Sequence, residues 1–146
     1  MSGDCQNGIG IDLDPSQNTR YEGQFQYGKK NGKGKLTDSV GNVFSGLWQN
    51  EEPIKGIYRF KNGDKYSGRL KNRMFHGFGV LTFVNGDKYI GEFKKDKKSG
   101  TGCMVYTSLR KIYIGKWKND KQHGKGNVFY FTESEFGNYT HGTKVP

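Results

Sequence analysis

Aromatic and glycine positions recur along this chain at a nearly constant interval. From Tyr21, an aromatic residue returns at Phe44, Tyr66, Tyr89, Tyr113 and Phe136, in steps of 23, 22, 23, 24 and 23 residues. Two residues after each of the first five stands a glycine (Gly23, Gly46, Gly68, Gly91, Gly115), and two further on a large apolar side chain (Phe25, Trp48, Leu70, Phe93, Trp117). A G-x-G pair follows at Gly32/Gly34, Gly77/Gly79, Gly100/Gly102 and Gly124/Gly126. The second unit keeps only Gly56, carries Ile54 in place of the first glycine and is one residue short. Apolar residues then alternate again, as in Leu81/Phe83 and Val128/Tyr130. A fixed period of this size is the mark of a repeat protein.

Each unit reads as two period-2 runs joined by a Gly/Lys/Asn-rich turn, a β-hairpin. Alternation puts Tyr21, Gly23 and Phe25 on one strand face. The glycine between two large side chains leaves a gap, across which a ring from a neighbouring hairpin is expected to lie. The G-x-G glycines suit close backbone approach and positive φ after the turn. A lone hairpin is marginal in water, so the units are expected to stack edge to edge. The predicted fold is all-β: an elongated, single-layer, twisted antiparallel sheet of stacked hairpins. Five repeats are placed at 21–43, 44–65, 66–88, 89–112 and 113–135. They supply ten strands, spanning roughly 50 Å. Residues 1–20 hold the tail of a preceding unit (Gly8, Gly10), and residues 136–146 a partial following one, with Gly137, Tyr139 and Gly142 at repeat spacings.

The stretches "YSGRLKNRMFHGFGVLTFVNGDKY" (66–89), "YIGEFKKDKKSGTGCMVYTSLRKIY" (89–113) and "YIGKWKNDKQHGKGNVFYFTESEF" (113–136) carry a resemblance to a known family. The chain resembles the MORN (membrane occupation and recognition nexus) repeat family, whose pattern is approximately Y-x-G-x-W/F-x-x-G/D-x-x-H-G-x-G-x-x-x-F/Y-x-x-G. The resemblance runs from Gly8 to Lys144. Departures are Leu70 at an aromatic position, the irregular second unit and a one-residue insertion near Leu109. Tyr21, Gly23, Gly46, Trp48, Gly68, Gly77, Gly79, Gly91, Gly100, Gly102, Gly115, Gly124 and Gly126 are the structural repeat residues. The resemblance implies a non-catalytic protein–protein scaffold, since short all-repeat members are often parts of axonemes, radial spokes, basal complexes or other cytoskeletal assemblies. It implies as alternatives an adaptor for anionic membrane or phosphoinositides, and a regulatory module of a larger enzyme, because such repeats accompany kinases and methyltransferases. An open groove of aromatics and glycines suits an extended peptide or helix. Tyr66, Phe93, Tyr113 and Trp117 are the rings expected to touch it.

Composition fits a sheet held by rings: hydrophobic residues make up only 32% of the chain, while aromatics reach 14%. That favours stacked side chains over a thick aliphatic core. The net charge of +10 is unevenly placed, at −2 for residues 1–53, +13 for 54–125 and −1 for 126–146. Lys65, Arg69, Lys71, Lys88, Lys94, Lys116 and Lys118 stand one off from the aromatic positions, on the opposite strand face, while Lys94, Lys95, Lys97 and Lys98 crowd the fourth hairpin turn. These bases form either a solvated face or a surface for an acidic partner or anionic lipid, with Lys94, Lys95, Lys97, Lys98, Lys116 and Lys118 as its candidates. The aromatics are spent on packing between units, which argues against nucleic acid.

Catalytic and metal chemistry find no footing. "YEGQFQYGKK" contains G-x-x-x-x-G-K, but Lys30 takes the place of the magnesium-binding Ser/Thr and no helix can start in the glycine-rich run after it. His76 and His123 occupy one motif position, two units and so about 20 Å apart, beyond the reach of one metal ion. His141 has no partner near it in sequence. Asp64, Asp87 and Asp120 fall in turns. Ser45 and Ser67 precede repeat glycines with no His or acid arranged around them. Cys5 and Cys103 form no disulfide or zinc pattern, so a reducing compartment is expected. With no apolar run of membrane-spanning length, no h-region and a Met-Ser start that excludes myristoylation, a cytoplasmic protein is expected. No catalytic residue, metal or cofactor is predicted. Unfinished repeats at both ends also predict homodimer pairing through repeat edges.

Overall fold

The computed structural model describes residues 2–3 and 5–135. Phe136, Gly137, Tyr139, His141, Gly142 and the expected partial repeat at 136–146 lie outside the described residues. The described residues form one open antiparallel sheet of twelve strands in sequential order. They are β1 (Ser2–Gly3), β2 (Gly8–Asp14), β3 (Thr19–Gln26), β4 (Lys29–Thr37), β5 (Val43–Gln49), β6 (Glu52–Arg59), β7 (Lys65–Lys71), β8 (Met74–Thr82), β9 (Lys88–Lys94), β10 (Lys97–Tyr106), β11 (Lys111–Lys118) and β12 (Lys121–Tyr130). The two strands beyond the ten expected come from the N-terminal segment. There β2 sets Gly10 opposite Gly23, and β1 adds two further pairs.

Register follows from the turns. In the tight hairpins both central residues adopt positive φ, as at Lys95 (49°) and Asp96 (71°) or Asn119 (50°) and Asp120 (69°). This is the type I′ geometry whose twist matches the flanking strands. Glycine then faces glycine across every strand pair from β2 to β12, Gly91 opposite both Gly79 and Gly102 for instance. Between that glycine pair and the turn each regular unit carries a bulge, marked by register shifts at Gly23/Phe25, Gly68/Leu70, Lys98/Gly102 and Gly115/Trp117. A carbonyl at each bulge is taken by the tyrosine three residues earlier. Tyr21 donates to Gln24 O (2.8 Å), Tyr66 to Arg69 O (2.5 Å), Tyr89 to Glu92 O (2.7 Å) and Tyr113 to Lys116 O (2.9 Å). Phe44 lacks the hydroxyl. In its shortened unit Leu47 stays in register opposite Lys55.

Among the described residues, one face of the sheet carries all of the buried side chains. Tyr21, Phe25, Phe44, Trp48, Tyr66, Leu70, Tyr89, Phe93, Met104, Tyr113 and Trp117, together with Cys5, make the core. Their rings form a chain of edge-to-face contacts: Tyr21–Trp48 at 5.2 Å, Tyr66–Phe93 at 5.3 Å, Tyr89–Trp117 at 5.4 Å. Such pairs add about 0.5–1.5 kcal/mol each beyond simple burial. The ring expected across each glycine gap belongs to the same hairpin rather than a neighbour. Tyr89 itself lies over Gly102 of its partner strand, as Tyr66 lies over Gly79 and Tyr113 over Gly126. The pair of glycines in G-x-G therefore divides the work. Gly100 has φ +64°, while Gly102 makes room for the ring.

Candidate functional site

The aromatic face is closed by a position that the repeat pattern does not mark. Each unit pairs one residue with the large apolar side chain, and in the first, third and fourth units it lies over the buried tyrosine ring. It is Lys30, Pro53, Phe75 and Gln122 opposite Phe25, Trp48, Leu70 and Trp117. In the fourth unit Lys98 faces Phe93. Phe75 stacks flat on Tyr66, with centroids 3.8 Å apart and 8° between planes. The ammonium of Lys98 lies 5.7, 5.7 and 5.4 Å from the rings of Phe83, Tyr89 and Trp117. Lys30 sits 5.4 Å from the Tyr21 ring and pairs with Asp12 (3.6 Å) and Glu51 (3.2 Å). Burial pushes the Tyr21, Tyr66 and Tyr89 hydroxyls up to about 12, with nearby carboxylates of Glu51, Asp96 and Glu92 adding to it.

The irregular second unit breaks this lid. Pro53 is smaller than the phenylalanine or lysine at equivalent places, and Leu70 stands where the neighbouring units supply Trp48, Phe93 and Trp117. A cleft of about 440 Å³ opens there on the aromatic face, with Tyr21, Leu36, Phe44, Trp48, Tyr58 and Leu70 among its walls and Asp12, Asp38, Glu51, Lys30 and Arg73 at its rim. The Asp38 carboxyl is held below the ordinary range: burial works against this, but hydrogen bonds from Asn42, Val40 and Gly41 outweigh it.

The four rings expected to meet a partner are not available to one. Tyr66 is 0% exposed, Phe93 and Tyr113 4%, and Trp117 5%. Their surfaces are consumed by one another and by the lid residues. The site that sequence reasoning missed is the cleft at Pro53 and Leu70. Its signal was the two departures from the pattern, a missing glycine and a missing ring.

Five of the six candidate lysines do come together. Lys94, Lys95, Lys97, Lys116 and Lys118 line a second cleft of about 590 Å³, with Ser99, Asn119 and His123. Among the described residues none of the five makes an ion pair, and Lys116 donates only to Thr101 Oγ1 (2.9 Å). Lys98 is the correction. The two-residue turn at Lys95–Asp96 puts Lys94 opposite Lys97 and Phe93 opposite Lys98, so Lys98 belongs to the aromatic face. Burial raises the Cys103 thiol.

His76 lies on β8 and His123 on β12, four strands and about 19 Å apart across the sheet. Among the described residues no cluster of three or more His, Cys, Asp or Glu could hold a metal. Among the same residues no helix is long and apolar enough to cross a membrane. A family model described as MORN repeat matches residues 21–43, 66–88, 89–108 and 113–127. The irregular unit at 44–65 falls between matched segments.

Proposed function

The chain belongs to the MORN repeat family, and from that premise we propose that it is a non-catalytic scaffold that holds a segment of another protein in the cleft of its second unit. Repeats of this family serve as protein- or membrane-interaction modules. The observation that carries the reading is the cleft of about 440 Å³ itself, where half-buried Leu36 and Tyr58 stand beside the charged rim of Asp12, Asp38, Glu51, Lys30 and Arg73. Elsewhere the aromatic face is filled by its own side chains, whereas an extended segment with one large apolar residue fits this opening. We place the scaffold in a cytoskeletal or ciliary assembly, the setting in which short all-repeat members are often found.

The test is recovery of bound proteins from the native cell with tagged wild-type protein and with Leu70→Trp, which restores the repeat's ring and fills the cleft. Stoichiometric recovery of cytoskeletal proteins by wild type, lost in the variant, is the expected result. Equal recovery by both would remove the cleft from the account.

A second reading is an adaptor for anionic membrane, favoured by the five lysines that meet on one cleft without ion pairs among the described residues. Each well-placed lysine contributes about 1 kcal/mol near an anionic leaflet. Lys94→Glu, Lys95→Glu and Lys97→Glu together should abolish salt-sensitive sedimentation with phosphatidylserine vesicles. Lys98 is left alone because it serves the opposite face.

A further inference from the structure

The face opposite the rings carries a feature that repeat packing does not use. Val80, Ile90, Cys103 and Ile114 stand in one cross-strand row, each directly opposite the next on β8, β9, β10 and β11. Beside it Val105 pairs with Ile112. Ile90 and Ile114 remain 36% and 46% exposed. In an ordinary one-sided sheet this face alternates to polar residues, and the solvent side of a repeat strand has no packing need for isoleucine.

The surroundings say what the row accepts. On this side strands β8 to β12 hold seven lysines, Lys98 and Lys111 lying over rings of the other face, against a single carboxylate, Glu92, which is bound to the Thr101 N–H (2.6 Å). Along β11 the row runs directly into the basic cleft, since Lys116 and Lys118 follow Ile114 on the same face. A second copy of this chain would bring lysine against lysine. The row crosses four strands, about 14 Å, with one apolar side chain every 4.8 Å or so. A helix laid across the strands presents an apolar side chain about every 5.4 Å turn, close to that spacing.

We infer that this row and the adjoining lysines form a second docking surface, for an acidic amphipathic helix of a partner protein. Its leucine-like face lies on Val80, Ile90, Cys103 and Ile114, and its carboxylates reach Lys94, Lys97, Lys116 and Lys118. The protein then bridges two partners, one on each side of a single sheet. Fully desolvated apolar anchors supply most of such affinity, and the charges supply orientation and encounter rate.

The probe is a fluorescein-labelled peptide with leucine at helical spacing and glutamate elsewhere, titrated into the full chain by fluorescence anisotropy. Binding should weaken about tenfold or more in the Ile90→Ser/Ile114→Ser double variant, and similarly in Lys94→Glu/Lys97→Glu. Circular dichroism and melting of both variants should stay at wild-type values, because these side chains are outside the ring core. Bound peptide should also slow maleimide labelling of Cys103, read by mass mapping, and Leu70→Trp should leave all of this unchanged. Absence of peptide binding overturns the inference. So does equal binding of a leucine-free glutamate peptide, which marks charge alone. Protection of Cys103 by phosphatidylserine vesicles but not by peptide overturns it in favour of a membrane surface.

Discussion

The carboxylate of Asp96 accepts the backbone N–H of Phe75 at 2.7 Å, while the Asp96 N–H donates back to the Phe75 carbonyl at 2.9 Å. A turn residue of one hairpin thus pins the lid residue of the previous one. Asp120 does the same to Lys98, at 2.8 and 3.1 Å, and Glu51 to Lys30, at 2.7 and 3.0 Å. The exception is informative. Pro53 has no N–H to give, and the residue at the matching turn is Arg73, which instead reaches Glu51 O (3.2 Å) and Glu52 (3.7 Å).

Removing the acceptor deletes a charge-assisted hydrogen bond to a backbone N–H. Asp96→Ala and Asp120→Ala should each lower unfolding free energy in urea by about 1.5–3 kcal/mol, with Asp→Asn costing about half, because an amide oxygen still accepts. Arg73→Ala, an exposed contact, should stay within about 1 kcal/mol. Pro53→Ala combined with Arg73→Asp should gain more than the sum of the single changes, by about 1 kcal/mol of coupling. An additive result would refute the staple.

Two glycines at the same hairpin should respond for different reasons. A Cβ on Gly102 would meet Tyr89 Cε2 at 2.5 Å, so Gly102→Ala must expel a fully buried ring. We expect a loss of at least about 3 kcal/mol and weakened near-ultraviolet dichroism. A side chain on Gly91 would strike the Gly102 Cα at 2.5 Å and the Thr101 carbonyl at 2.7 Å, so Gly91→Val should not fold. Gly124→Ala has open space and only its φ of +68° to pay, about 1 kcal/mol.

Alkaline pH should unfold the sheet. The hydroxyls of Tyr21, Tyr66 and Tyr89 titrate near 12 when folded and near 10 when unfolded. Their folded values are raised, so the stability they contribute is complete below pH 10 and is lost as pH climbs towards 12. Each accounts for about 2–3 kcal/mol over that window. Melting temperature should fall steeply above pH 10, and the tyrosinate absorbance lost in a Tyr21→Phe, Tyr66→Phe or Tyr89→Phe difference spectrum should be the part that rises with unfolding. Early titration of all nine tyrosines in a folded protein would contradict the burial.

The lid position offers a stability test independent of the glycines. Lys98→Ala removes an ammonium shared by three rings and should cost about 1–2 kcal/mol, with little dependence on salt. Lys97→Ala, its neighbour on the other face, should be nearly neutral.

By itself the sequence determined the repeat, the hairpins and the strand alternation, because short-range spacing and two-residue turns leave a strand no other face to show. It also exposed the irregular second unit through Ile54 and the missing ring of the third through Leu70, and the face of Lys98 was open to counting across the Lys95–Asp96 turn. Tertiary structure alone decided that Tyr66, Phe93, Tyr113 and Trp117 are used up inside the chain, since burial depends on what folds over a ring and the residues at the lid position, among them Lys30, Phe75 and Lys98, follow no repeat motif. It decided too that Asp96 holds Phe75 and Asp120 holds Lys98, contacts 21 and 22 residues apart that arise only when one hairpin is laid against the next. The clefts belong to the same class. A cavity is the volume that neighbours fail to fill, and that is a property of the assembled sheet rather than of any one strand.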